Sequence, residues 1–496
     1  MDASSAARAW RDHLQRLQSL RGAQALLAWD QQTGMPPAGA AARAGQQALL
    51  GELAHSWAID PEARKLLDVL EASDEATHQR MALVARREVD RAVKVPSALV
   101  RRLSEAHSAA FGAWATAKQD DDFSAFAPHL RTVVDLALEE LGHIDPDRHP
   151  YDVALEAYDP GTTIATLRPL FGRLKDGLVE LLDAIADQEP IAHVPLPADV
   201  KAQRALNVEI SEALGYDFGA GRLDVAPHPF TIDIARQDVR ITTMFDPDDM
   251  LVALGGTIHE VGHALYEQGL PTGALEHTGL DRAASMGLHE SQSRFWENAI
   301  GRSEAFCAWM APKARAHLGP DAPDARTLFQ QSNRVDRSLI RVFADEVTYN
   351  LHIIVRFELE LALLEGTLAV EDLPEAWNSA YADVLQVDVP DDRRGCLQDV
   401  HWSHGSFGYF PSYTLGNLYA ASFTKAIEAA HPTLWDDVAD GRFAPVLHWL
   451  RHHVHQQGRT QDAPDLVRAV CGDRDPVADL LDHLWGRHGA MYGARR

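Results

Sequence analysis

Apolar residues recur at intervals of three and four along most of the chain, the spacing that gathers side chains on one face of an α-helix. Residues 165–187, ATLRPLFGRLKDGLVELLDAIAD, keep it throughout, and residues 340–366, IRVFADEVTYNLHIIVRFELELALLEG, carry it to a terminating glycine, Gly366. The pattern predicts a mainly α-helical protein. One stretch departs from it. From His228 to Phe245, HPFTIDIARQDVRITTMF, β-branched residues cluster with polar residues between them, which predicts a small β-element. Pro190–Val200 reads as a loop, and with no Gly/Ser linker, low-complexity run or repeat the chain shows no domain cut, so residues 1–496 are read as one body.

The periodic segment richest in candidate chemistry is GGTIHEVGHALYEQG, Gly255–Gly269. Asp246 and Pro247 supply a cap and a first helical position before it, and Gly269 with Pro271 ends it. Leu251, Leu254, Ile258, Val261 and Leu265 form its apolar stripe, with His259 and His263 on the neighbouring one. Residues four apart on a helix lie about 5–6 Å from each other, so both imidazoles can reach one ion. Glu260 is rotated by about 100° from His259 and can face a water on that ion without being a ligand, as the glutamate of an HExxH motif does. Gly255 and Gly256, costly in a helix interior, predict close packing or a kink near the site.

Composition narrows the partners. A formal net charge of −26 repels phosphate backbones and anionic lipid, so neither nucleic acid nor membrane is expected. The first eighteen residues lack the apolar core of a signal peptide and no long apolar run follows, which predicts a cytoplasmic protein. Cys307, Cys396 and Cys471 are scattered, so a metal site would use histidine and carboxylate. A catalytic zinc site takes three protein ligands and leaves a fourth position for water. The extended HExxHxxGxxH pattern is excluded, because Tyr266 and Gly269 stand where it needs Gly and His. Glu290, in GLHESQSRFWENAIGRS, is the candidate third ligand. Glu276, Asp281, His289 and Glu297 compete with it on spacing alone, and Glu297 could instead orient an imidazole.

The strings IHEVGHALYEQG, HESQSRFWEN, DVRITT from Asp238, IRVFAD from Ile340 and GCLQDVHW from Gly395 together resemble the carboxypeptidase Taq family of metallocarboxypeptidases. The likeness runs from residues 26–50, LLAWDQQTGMPPAGAAARAGQQALL, to residues 405–420, GSFGYFPSYTLGNLYA. It implies a large helical body, its two lobes flanking a deep groove, with the β-element beside a metal at the groove floor, and a homodimer. It implies that His259, His263 and Glu290 bind one divalent metal ion, zinc or else cobalt, and that Glu260 is the general base. The expected reaction removes single residues from the free C-terminus of peptide substrates. An oligopeptidase or dipeptidase with the same chemistry is the nearest alternative; a scaffold with a structural metal, or a module that binds peptide C-termini without turnover, stand further off.

Other residues have readings of their own. Arg341 is the candidate for gripping the substrate carboxylate, against an ion pair with Asp345, and Arg240 is a second candidate, against a role with Asp238 in holding the β-element. An exposed edge of that element could pair with an extended peptide. His401 is a candidate donor to the developing oxyanion, against a buried histidine bonded to backbone, and Tyr409, a second candidate donor, and Tyr413, a candidate substrate contact, are each set against packing. His448, His452 and His455 read as one solvated or partner-facing helix stripe.

Overall fold

The computed structural model describes residues 1–496. Four helices come first, Ala3–Thr33, Ala40–Ala58, Pro61–Glu71 and Ala76–Lys94. Asp2 caps the first through the Ser5 N–H, and Asp60 with Pro61 starts the third. Their apolar contacts, Trp10, Leu67, Leu70, Met81 and Val89 among them, form a separate cluster of 11 buried residues, whereas 98 buried residues from Val95 to Trp485 form the main core. The first helices therefore lie against the main body largely through polar and partly exposed surfaces.

The expected helix over residues 165–187 is present as Ile164–Ala186, opened by a reciprocal Thr163–Thr166 capping box. The segment from Ile340 is helical only from Tyr349 to Glu365, after a single 3₁₀ turn at Arg341–Phe343. Asp345 interrupts the pattern, since its carboxylate accepts from the N–H groups of Val347 and Thr348 and from the Thr348 hydroxyl. These local bonds compete with helix formation.

The β-element has three strands, β1 (Leu223–Val225), β2 (Thr231–Ala235) and β3 (Asp238–Thr243), in the order β1-β3-β2. The first lies upstream of the expected stretch. It runs parallel to β3, while β2 is antiparallel, pairing Thr231 with Ile241 and Ile232 with Arg240 before a bulge between Asp233 and Ala235. Val239, Ile241, Thr242 and Thr243 are buried, and the Thr257 hydroxyl of the following helix bonds to that of Thr243 at 3.0 Å. β2 is left as an edge strand.

Candidate metal centre

The HExxH segment forms a helix, Met250–Gly269. It starts three residues later than expected, with Asp249 as its cap, because the carbonyls of Asp246 and Pro247 are held by Gln203 and the Ala198 N–H. Leu254, Ile258, Val261 and Leu265 are buried as the stripe predicts, each worth about 1.5–3 kcal/mol of apolar burial. Close packing occurs at Gly262 rather than at Gly255 or Gly256. A β-carbon at Gly262 would lie 2.6 Å from the Gln292 carbonyl, so the helix Met286–Arg294 can lie directly against the motif. Gly416 makes a second close approach, since a β-carbon there would stand 2.5 Å from Glu290 Cγ. Two glycines thus seat the carboxylate opposite the histidines.

Ligand atoms of His259, His263 and Glu290 lie within 4.8 Å of one another. Glu290 Oε2 is 3.7 Å from His259 Nε2 and 3.3 Å from His263 Nε2. Its other oxygen accepts from Arg294 Nε at 2.6 Å. Burial alone would raise the Glu290 carboxyl, but Arg294 and His259 overcome it and hold it far below the ordinary carboxylate range. The imidazoles are oriented from behind. His259 Nδ1 lies 2.9 Å from Glu297 Oε2, in a π-helical stretch, Phe295–Gly301, of the kind that re-aims side chains at functional sites. His263 Nδ1 is 2.6 Å from His289 Nδ1, and His289 Nε2 is 3.0 Å from Glu267 Oε1. His289 Nε2–H donates to Glu267, which raises the His289 imidazole against burial, and in its neutral tautomer His289 Nδ1 accepts from His263 Nδ1–H. Both ligand histidines then present an Nε2 lone pair to the same point. Burial pushes His263 down to about 4, which favours that neutral form. Two imidazole nitrogens and one carboxylate oxygen in this arrangement fit a divalent cation such as zinc.

Glu260, 6% exposed, directs its carboxylate into the adjoining groove, where Oε2 accepts from Thr231 Oγ1 at 2.7 Å. Burial pushes its carboxyl up, which His259 partly offsets. The groove, about 890 Å³, runs between the first helix, β2 and the 281–290 segment, and Tyr409 and Tyr413 line it. Tyr409 is pushed up to about 12, chiefly by burial and then by Glu290, and so stays a proton donor. His401 stands behind Tyr413, with Nε2 3.5 Å from the phenol oxygen, and burial lowers it to about 4.

The two arginines expected at the substrate are placed elsewhere. Arg341, 6% exposed, gives Nε and Nη2 to Asp399 Oδ1 at 3.0 and 2.8 Å. Arg356 binds the other Asp399 oxygen, so one buried carboxylate holds two guanidiniums and Asp345 takes no part. Arg240 pairs bidentately with Asp238 and lies over the Trp29 ring, 4.5 Å from its centre. Neither lines the groove. His455 does not continue a solvated stripe either, being buried against Gly269 with Nε2 2.9 Å from Gln292 Oε1.

The loop carrying His401 and Tyr409 has its own buried anchor. Glu360, fully buried, accepts from Tyr151 Oη, Trp402 Nε1 and the Gly408 N–H at 2.8–3.1 Å. Burial outweighs these donors and raises its carboxyl to about 7. A carboxyl raised in the folded state binds its proton more tightly there than in the unfolded chain, so its contribution to stability falls as pH rises between about 4.5 and 7. Measured against Glu360→Gln, which does not titrate, the parent should therefore lose about 3 kcal/mol of unfolding free energy from pH 4 to pH 8. Denaturant melts at several pH values check this, and a difference that does not change with pH would remove Glu360 as the titrating group.

A family model described as carboxypeptidase Taq (M32) metallopeptidase matches residues 9–488. Thermostable carboxypeptidase 1 of Thermus thermophilus is 43% identical, with 95% of each chain covered, and carboxypeptidase 1 of Bacillus subtilis is 36% identical, with 97% of each covered. Among solved structures, the M32 carboxypeptidase of Deinococcus radiodurans superposes with a TM-score of 0.94 at 38% identity, covering 99% of this chain and 100% of that one.

Proposed function

The chain belongs to the carboxypeptidase Taq (M32) family and is a metallocarboxypeptidase, a hydrolase of peptide bonds, and for its site we propose that His259, His263 and Glu290 hold one divalent ion while Glu260 serves as general base. The observation that carries the assignment is the convergence of the three ligand atoms within 4.8 Å beside the Glu260 carboxylate in one groove. Zinc is the metal the donor set suits first, with cobalt as its substitute. Bound by these three residues, such an ion would supply Lewis-acid chemistry, lowering the pKa of a water to about 7.

The residues of the chain do the rest. Thr231 fixes one oxygen of Glu260, leaving the other to take the proton of the attacking water and return it to the leaving amine. Tyr409, kept neutral in the groove wall, donates toward the carbonyl oxygen as it gains charge. Tyr413 contacts substrate beside it, and His401 supports the Tyr413 phenol from behind. Arg341 and Arg240 serve the frame of the site. We read residues 1–496 as one catalytic unit whose first helices form the second wall of the groove, acting as a cytoplasmic homodimer on peptides with a free C-terminus.

Mass spectrometry of one peptide digested with and without chelator tests this. Single residues lost successively from the C-terminus, only without chelator, are expected. Internal fragments would point to the oligopeptidase alternative, which family membership does not favour.

A further inference from the structure

The groove has a closed end on which the edge strand and the first helix converge. β2 pairs with β3 on one side only, and its other edge lines the groove beside Glu260, to which Thr231 is bonded. That edge is covered at Ile234. Helix Ala3–Thr33 crosses it there so closely that a β-carbon on Gly22 would lie 2.5 Å from the Ile234 carbonyl oxygen. An extended residue spans ~3.3 Å, so a chain laid along β2 with its reacting carbonyl at Glu260, beside Thr231, meets the helix at Ile234 about three residues further on.

The same end holds guanidiniums without partners. Arg459 is paired with Glu88 and Arg236 with Glu267. Arg21, one residue before Gly22, and Arg282 both line the groove, yet no carboxylate lies within 4 Å of either and neither donates a hydrogen bond inside the protein. Burial and then Arg282 pull Arg21 below its ordinary value, and Glu88 offsets this only in part. Two carboxylates stand nearby without a direct ion pair to either arginine: Glu88, which is bonded to Arg459 and acts on Arg21 and Arg282 at longer range, and Asp233 beside Arg282, whose own carboxyl burial and Glu267 push up, weakening it as a competitor. Two half-buried, unpaired arginines in a protein of net charge −26 call for an incoming anion.

We propose that Arg282 and Arg21 grip the terminal carboxylate of the substrate at this closed end, with the last residue lying along the Thr231–Asp233 edge of β2. The proposal rests on the carboxypeptidase reading above and assigns its carboxylate-binding residues. The helix wall at Gly22 bounds how far the substrate can run past the scissile bond, and the two guanidiniums reward a free carboxylate at that end.

Binding is measured by calorimetry in the Glu260→Gln background, with zinc bound, using one peptide as free acid and as C-terminal amide. The acid should bind ~30-fold more tightly than the amide. Arg21→Ala with Arg282→Ala should abolish that preference by weakening the acid alone, and Arg282→Lys should restore part of it, since an ammonium keeps charge without the planar fork. Thermal melts of each variant confirm folding, and Arg21→Gln with Arg282→Gln replaces the double alanine variant if it does not fold. A preference that survives in the folded double variant overturns the assignment while leaving the carboxypeptidase reading intact. No preference in the Glu260→Gln parent overturns both.

Discussion

Glu260→Gln is expected to lower kcat by about 10²–10⁴-fold with metal content unchanged and KM little altered. The substitution preserves volume at a residue that is 6% exposed, and an amide oxygen can still accept the Thr231 hydroxyl that now sits 2.7 Å from Oε2. What it removes is the ability to take a proton. A loss confined to kcat identifies an interaction needed in the transition state and not in the bound complex. Steady-state kinetics with atomic absorption on the same preparation checks it. Activity within tenfold of the parent would mean that another group accepts the proton, with Asp233 of the groove wall the first candidate, since Glu290 and Glu297 are tied to Arg294 and Glu267 to His289 and Arg236.

The helical class, the β-element and the HExxH helix were legible because they are written in local periodicity. His259, Glu260 and His263 share two turns of one helix, and their spacing alone sets their geometry. Glu290 was legible only as one of five acidic or histidine candidates, since nothing local says that Gly262 and Gly416 admit its backbone and side chain. Glu297 fell to the orienting role that spacing had left open. His289 and Glu267 became a relay behind His263 because two helices pack at one angle, which no periodicity records.

Arg341 shows the other limit. Its sequence neighbour Asp345 was the obvious partner, four residues away, but an isolated helical pair of that kind contributes only about 0.3–0.5 kcal/mol. Asp399, 58 residues away, serves Arg341 and Arg356 together in the interior, where a guanidinium buried without such a partner would be strongly destabilising. Arg21 and Arg282 are invisible for the converse reason. Each reads as an ordinary surface arginine until the fold brings both to one end of the groove and leaves them unpaired.

Glu290→Gln should raise the apparent Kd for zinc by more than ~100-fold, a larger loss than the ~10–100-fold expected of Glu297→Gln, which removes only the acceptor behind His259. The reasoning is one of charge and geometry. Glu290 Oε1 is committed to Arg294 and Oε2 faces both imidazoles, so the carboxylate supplies the one negative charge aimed at the ion. A glutamine side chain would keep the contact with Gly416 yet offer a neutral, weaker oxygen, and its NH₂ group would either meet Arg294 or point into the ligand cluster. Arg294 would retain Glu297 at 3.3 Å and the Tyr349 ring at 4.2 Å, so the helix should hold and the defect should appear in metal retention before it appears in stability. Competition with a chromogenic chelator gives the Kd values, and added zinc or cobalt should recover part of the activity of Glu290→Gln only at high concentration. Full occupancy in Glu290→Gln together with loss in Glu297→Gln would exchange the two roles, making Glu297 the ligand and Glu290 the residue that anchors Arg294.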